Sequence, residues 1–552
     1  MGIPGGKQTE LPACRQRSGM TARALTRLHL RRPRTSPWKS IAPVRAELFG
    51  IERLEQHAIS LAEVQRICAS APRVASLRQR LDDNATALRA TRKACLSELA
   101  SGRAIVPAAQ WLVDNFHRVE AQVRDCRADL PPSYYKRLPK LAQGPFHGYP
   151  RVFELIWAYV AHTDSHLDGP ALSRFLRAYQ QVQPLTIGEL WAVPITLRLV
   201  LLENLRRLAD QITFGHRMRL SADALADWLL GASQTGIWMR EDIGASGLLS
   251  EIFTAQLAKR LRDCDPVTTP AIGWLEDRLL KQGSNVDLAV RHAQERQGAS
   301  NVTVRNVITS LRTIAETDWP ELFESVSLVD MTLRQHPGFS AMDFVSRNLY
   351  RDAIEDLARH SDHSELELAE RVLATAMAVP KADGDRISDA EIRRRSDPGW
   401  HLLAEGRKVF ERQIGYRNRG WRRFRLWPAL PGYLGSILCV TLGLLALSAW
   451  SLMALSGPSP SWTGLALWLL AAVIPASAVA QLLVDRTVAW AVPATVLPGL
   501  ALESGVPSSL RTLVVMPTLL TTAAELTEQL EGLEVHYLSG AQGDVTFAIL
   551  TD

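Results

Sequence analysis

LWPALPGYLGSILCVTLGLLALSAWSLMALSGPSPSWTGLALWLLAAVIPASAVAQLLV, residues 426–484, is a run of 59 residues without one Asp, Glu, Lys or Arg. A soluble domain has no need of so long an uncharged stretch, whereas a helix crossing a bilayer requires roughly 20 apolar residues. The run supplies two such helices, 434–455 and 462–484, and the turn between them, Ser456-Gly-Pro-Ser-Pro-Ser461, is short enough to force a hairpin. Trp427, Tyr433 and Trp462 stand near the expected ends, where amphipathic rings favour the interface. Arg417, Arg419, Arg422, Arg423 and Arg425 precede the first span, and the turn holds no cation. The positive-inside rule then places both termini in the cytoplasm, so the lipid bilayer is the first expected partner.

Ahead of the hairpin, residues 45–425 read as one helix after another, with apolar residues three and four apart and few alternating runs. In Pro107–Cys126, for example, Leu112, Phe116, Val119, Val123 and Cys126 fall on one face. Pro131-Pro132, Gly144-Pro145, Gly148-Tyr-Pro150, Gly169-Pro170 and Asp265-Pro266 mark breaks, and a soft domain boundary is expected near 265. Leu185–Leu202 imitates a membrane span but carries Glu189, Pro194 and Arg198, which predicts a buried core helix kinked at the proline. The 552 residues leave room for several domains. The formal charge of +6 sits largely in residues 1–44, a basic tail expected to be solvated. With the remaining excess on the membrane flank, anionic lipid headgroups fit this charge better than nucleic acid, and no nucleic-acid partner is expected. Six cysteines, at 14, 68, 95, 126, 264 and 439, form no CxxC pair and imply no disulfide framework.

Past the hairpin, residues 486–510 read as a linker and 511–552 change character. Thr512–Met516 is a strand-like run followed by Pro517. Thr522 and Glu525 form a capping box for a helix with Leu526, Leu530 and Leu533 on one face, and Val545–Leu550 is a second strand before Thr551-Asp552. The expected class is therefore mainly α: a helical soluble region, a two-helix transmembrane hairpin, then the opening β-α-β of an incomplete nucleotide-binding α/β domain.

Several runs resemble, in order, the N-terminal part of bacterial cyclic β-1,2-glucan synthases, inner-membrane enzymes with a family 84 type glycosyltransferase domain. They are RAELFGIERLEQHA (45–58), WLVDNFHRVEAQVR (111–124), GYPRVFEL (148–155), VQPLTIGELWAVPITLRLVLLENLRRLA (182–209), NVITSLRTIAETDWPELFESVSLV (306–329), MDFVSRNLYRDAIEDLAR (342–359), and LRTLVVMPTLL with the closing FAILTD. The resemblance implies a multi-pass protein of the bacterial inner membrane and a GT-A-like domain that transfers glucose from UDP-glucose to a growing β-1,2-glucan, with a divalent metal, Mg or Mn. Of the family's motifs, Pro517-Thr518 matches the loop after the first strand, and Asp552 matches the first Asp at a strand end that contacts the nucleotide. The metal-binding DxD, the catalytic base and the (Q/R)xxRW acceptor motif cannot be placed. The chain is therefore expected to be a scaffold and anchor portion, truncated, that holds no catalytic residue or cofactor of its own and is inactive by itself, meeting UDP-glucose and glucan only once the domain is completed. The alternative class is a stand-alone membrane scaffold that binds another subunit.

Other residues read more plainly. His147, His162 and His166 surround Asp164 but follow no metal-ligand pattern, and no metal site is expected. Glu189 with Arg198 and Glu203 with Arg207 read as structural ion pairs on helical faces. Trp111, Trp191 and Trp319 read as packing residues ahead of sugar platforms. No Gly-rich phosphate loop or Ser/His/Asp set stands out.

Overall fold

A computed structural model describes residues 40–551 apart from 69–73, 75, 130–131, 230–248, 263–270, 379–388, 418–428, 457–460, 492–496, 503, 520–521 and 541. Most of the basic tail, Trp427, four of the five flanking arginines and most of the turn between the two spans lie outside the described residues.

The chain divides into two compact units between Leu328 and Val329. In the first, the principal elements are α1 (Ile51–Val64), β1 (Ile67–Cys68), α2 (Leu77–Ala100), α3 (Pro107–Asp114), α4 (Phe116–Asp129), β2 (Lys140–Leu141), α5 (Arg151–His162), α6 (Gly169–Gln180), α7 (Ile187–Trp191), α8 (Val193–Leu229), α9 (Glu251–Arg262), α10 (Ala271–Leu280), α11 (Val286–Glu316) and α12 (Trp319–Val326). The spine is α8, 37 residues long, about 55 Å at 1.5 Å per residue. Its first half is enclosed: Leu197, Leu199, Val200, Leu201, Leu202, Leu205 and Leu208 are buried, as are the polar Glu203, Asn204 and Arg207, with α2, α5, α9 and α11 packed along the helix.

Three sequence readings change in detail. The stripe from Leu112 to Cys126 is buried throughout, but it lies on two helices, since the chain breaks at Asn115. The expected kinked helix over 185–202 is likewise two, α7 and α8. Pro194 lacks an amide and its ring crowds the carbonyl four residues back, so a new helix starts at Val193 with the proline in its first turn. The soft boundary near 265 falls inside the first unit. Leu225, Phe253, Leu257 and Leu261 share one apolar cluster with Leu275 and Leu279 from beyond it, although 263–270 are outside the described residues.

In the second unit the elements are α13 (Phe344–Arg359), α14 (Glu365–Met377), α15 (Pro398–Leu402), α16 (Arg407–Gln413), α17 (Ala429–Ser456), α18 (Trp462–Ala491), β3 (Thr512–Thr518), α19 (Ala523–Leu538) and β4 (Val545–Thr551). Both long apolar helices, α17 and α18, are long and apolar enough to cross a membrane, and they pack on each other. Only 6% and 11% of their apolar windows are buried, so they are not the core of a soluble bundle. α18 runs on to Ala491, so the expected linker begins as helix. The hydroxyl of Tyr433 donates to Asp485 Oδ1 at 2.6 Å and ties the two helices at one end. The fold is thus mainly helical, with two candidate membrane helices and a small parallel sheet.

Candidate functional site

The strand-like runs pair as parallel neighbours in a seven-residue register, from Thr512 beside Val545 to Thr518 beside Thr551. β3 keeps Pro517 as its penultimate residue and takes in Thr518. Among the described residues this sheet has two strands, and a proline at a strand end leaves that ladder intact. The capping box forms as read: the Thr522 hydroxyl accepts from the Glu525 amide at 3.3 Å, and Glu525 Oε2 accepts from the Thr522 amide at 3.3 Å. The Tyr537 ring meets Phe547 edge-on, so α19 covers the face that carries Phe547. On the opposite face Leu513 and Leu550 are 59% and 61% exposed, although parallel sheets are normally covered on both faces. Leu526 and Leu530 of α19 also remain partly exposed.

Pro517 and Thr518 therefore stand at the carboxyl edge of the sheet, where ligands of open α/β sheets bind, beside Thr551. Asp552 lies outside the described residues. Thr518 and Thr551 offer hydroxyl and carbonyl oxygens and no carboxylate. No cluster of three or more His, Cys, Asp or Glu side chains able to hold a metal occurs among the described residues. The described strand ends thus do not fit the divalent ion that the resemblance implies.

The second feature is a buried polar junction in the first unit. The loop after α5 carries Asp164 and Ser165 at φ 47° and 65°, a left-handed pair uncommon for residues with a side chain. The loop is held from all sides. Asp164 Oδ1 accepts from Arg45 Nε at 2.9 Å and from the Thr303 hydroxyl at 2.7 Å, while Asn306 Nδ2 donates to its Oδ2 at 3.3 Å. Asn204 Nδ2 donates to the Ser165 hydroxyl at 2.8 Å, and Asn204 Oδ1 accepts from the Val44 amide at 2.7 Å. The Ser310 hydroxyl donates to the Ser165 carbonyl at 2.7 Å. These donors and acceptors complete one another, which marks a junction joining the segment at Val44 and Arg45, α5, α8 and α11 more than an open site. His162 does not share a helix face with His166, because the left-handed pair intervenes. Its ring stacks on Phe49 at 3.9 Å and its Nδ1 meets the Glu47 carbonyl at 2.7 Å. Burial lowers the titration of His162, and burial followed by the neighbouring His162 lowers His57 to about 4.

Ion pairing departs from the expected pairs in one case. Glu189 is bound not by Arg198 but by Arg151, in a two-pronged bridge with Nη2 to Oε2 at 2.5 Å; the side chains are 2% and 0% exposed. Arg198 instead meets Gln122 and Asp129. Glu203 does pair with Arg207 at 2.8 Å, and Arg80 and Arg206 also reach it. Deeper in the same region, Gln65 donates to Glu154 at 2.8 Å and accepts from the Tyr179 hydroxyl at 2.5 Å. Burial raises Glu154 to about 7 against the opposing Gln65 bond. Trp191 stacks on Phe323 at 4.5 Å, Trp319 donates to the Ile314 carbonyl at 2.8 Å, and Trp111 stands 39% exposed below Arg305. Sequence reasoning passed over Arg151, Glu154 and Asp164 as partners; their pairings cross 38 or more positions of sequence, and no local spacing announces them.

No family model matches the chain. Among curated proteins, the cyclic beta-(1,2)-glucan synthase NdvB of Rhizobium meliloti (strain 1021) is 35% identical over 518 residues, 92% of this chain. The chain spans 18% of that protein's length.

Proposed function

As a relative of the cyclic β-(1,2)-glucan synthase family, this chain is, we propose, the membrane-anchoring N-terminal section of a glucan synthase, in which a helical scaffold and a transmembrane hairpin carry the first strands of the glycosyltransferase domain. The observation that carries the reading is the coincidence of 35% identity across 92% of the chain with a parallel β-α-β placed directly after the hairpin. The enzyme so completed transfers glucose from UDP-glucose to β-1,2-glucan in the bacterial inner membrane, with both flanks of the hairpin in the cytoplasm.

Within this reading Pro517, Thr518 and Asp552 meet the nucleoside. The N-terminus of α19 is poorly suited to the diphosphate: Glu525 already occupies the Thr522 amide, and a carboxylate there opposes a second anion although it suits the helix dipole itself. The strand-end loop is left to hold uracil and ribose by backbone groups and hydroxyls. Deprotonating the sugar hydroxyl and supporting the departing diphosphate need acidic groups and a metal, which this reading assigns to other parts of the synthase. The 552 residues alone are therefore expected not to transfer glucose. The test is incubation of the purified chain in nanodiscs with radiolabelled UDP-glucose. Absence of glucan, with weak or no nucleotide binding, agrees with the reading; glucan formed by these residues alone overturns it.

A further inference from the structure

The chain leaving α18 does not run free to the sheet. The Gly499 amide donates to the Ser346 hydroxyl at 2.6 Å, the Asp343 amide donates to the Gly499 carbonyl at 3.1 Å, and the Ala501 amide donates to the Ala341 carbonyl at 3.0 Å. Met342 and Leu500 form an antiparallel bridge between these bonds. Ser346 is 1% exposed, and its amide donates at 2.8 Å to Oδ1 of Asp343, the residue that caps the start of α13. A few residues on, the Val506 amide donates to the Gln542 carbonyl at 2.9 Å and the Asp544 amide donates to the Val506 carbonyl at 2.8 Å. This second anchor is a close approach of two backbones. A Cβ at Gly543 would lie 2.3 Å from the Val506 nitrogen and oxygen, and one at Gly505 would lie 2.6 Å from the Gln542 carbonyl carbon. Both glycines also have φ near 90°, at 87° and 93°, so their lack of a side chain serves space and conformation together.

We infer that residues 497–502 and 504–507 belong to a strap that holds the β-α-β unit to the start of α13 by the amino ends of its strands, with Ser346 as a positioning residue. Its two anchors, the bonds at Ala501 and at Val506, are five residues apart, a reach of at most ~18 Å of chain, so slack at one is felt at the other. Beyond the second anchor the Asp544 carbonyl accepts from the Thr512 amide at 3.1 Å, and β3 and β4 both begin there. Their carboxyl ends, Thr518 and Thr551, lie about 20 Å away at ~3.3 Å per residue. The strap thus fixes the sheet while leaving its ligand-binding edge uncovered. Calling that edge the nucleotide edge rests on the function proposed above; the strap itself does not.

The experiment is amide hydrogen exchange on the whole chain in nanodiscs, without nucleotide, comparing wild type, Ser346→Ala, Ser346→Thr and Gly543→Ala. A strap requires Ser346→Ala to speed exchange at Gly499 and Ala501 by about five- to tenfold, as for loss of one hydrogen bond, and to speed Val506 and Asp544 as well. Ser346→Thr keeps the acceptor and restores protection. Gly543→Ala, which disturbs only the far anchor directly, must loosen Gly499 and Ala501. Two anchors that loosen independently, each variant affecting only its own pair of amides, overturn the proposal. Because no nucleotide is present, failure of UDP-glucose binding leaves this result untouched.

Discussion

Ser346 and Gly499 lie 153 residues apart, on either side of the apolar hairpin, yet the Gly499 amide donates directly to the Ser346 hydroxyl at 2.6 Å. Backbone pairing at Asp343 and Ala501 accompanies the contact. Such bonds cannot form across a hydrocarbon core about 30 Å thick, so the membrane reading proposed above requires an even number of crossings between them.

Single cysteines at Ser340 and Ser508, in a background with the six native cysteines replaced, should therefore react with an impermeant maleimide from the same side of sealed vesicles. A cysteine at Pro458 should react from the other. Labelling of 340 and 508 from opposite sides would rule out the hairpin.

The Arg151–Glu189 pair is nearly inaccessible to water, and Arg151 is further held by Gln183 Oε1 at 3.0 Å and the Pro184 carbonyl at 2.9 Å. Glu189→Ala leaves a buried guanidinium without its counter-charge and should destabilise the chain by about 3–5 kcal/mol. Replacing both residues, Arg151→Met with Glu189→Leu, should recover most of the loss. Thermal melting of the three proteins in one detergent checks this. A single variant no less stable than the double would contradict it.

Asp164 serves a left-handed turn and three donors at once. Asp164→Asn keeps an oxygen acceptor and tolerates positive φ. Asp164→Ala does neither and should cost about 2–3 kcal/mol, the larger part from orphaned partners. The order Ala worse than Asn, read as the drop in melting temperature, is the expected outcome.

Glu154 gives a pH signature. Its folded-state titration is raised to about 7 above an unfolded value near ~4.3, so the folded chain binds the extra proton. The resulting stability is fully present below about pH 4.3 and is lost as pH rises through 7. His57, lowered to about 4, has the opposite sign: its contribution is present above about pH 6.5, the free histidine value, and is lost as pH falls through 4. Glu154→Gln removes only the first effect. The variant should match wild type near pH 4 and exceed it by about 2 kcal/mol at pH 8, measured by melting across that range. An equal difference at both pH values would show that Glu154 does not titrate between them.

Residues 426–484 made the two long apolar helices legible because charge is costly in hydrocarbon, and that cost bears on every residue of a candidate span. The helices were legible from their apolar spacing, as was the Thr522–Glu525 cap, because both are set within a few residues of sequence. The Arg151 partner of Glu189 was not legible, since a pair buried between α5 and α7 is chosen by packing. The break at Ala192 and the left-handed Asp164-Ser165 were hidden for a related reason: a proline permits a kink or a new start, and only the surrounding network selects a strained turn. The strap left almost no mark. Its bonds are mainly backbone to backbone, and its trace in the sequence is three glycines, 499, 505 and 543, that look like ordinary loop residues. At the candidate site, Pro517 and Thr518, read from sequence as the loop after the first strand, are the last two residues of β3, and the register sets Thr551 beside Thr518.

The most direct test of the central claim is a chimera in which residues 45–552 of this chain replace the matching section of the Rhizobium meliloti synthase. Membranes bearing it are supplied with radiolabelled UDP-glucose, beside a control that retains the original section. If the chain is the anchoring scaffold of a glucan synthase, the chimera makes β-1,2-linked glucan. A chimera that inserts, labels on the expected sides and yet makes none while the control is active would contradict that account.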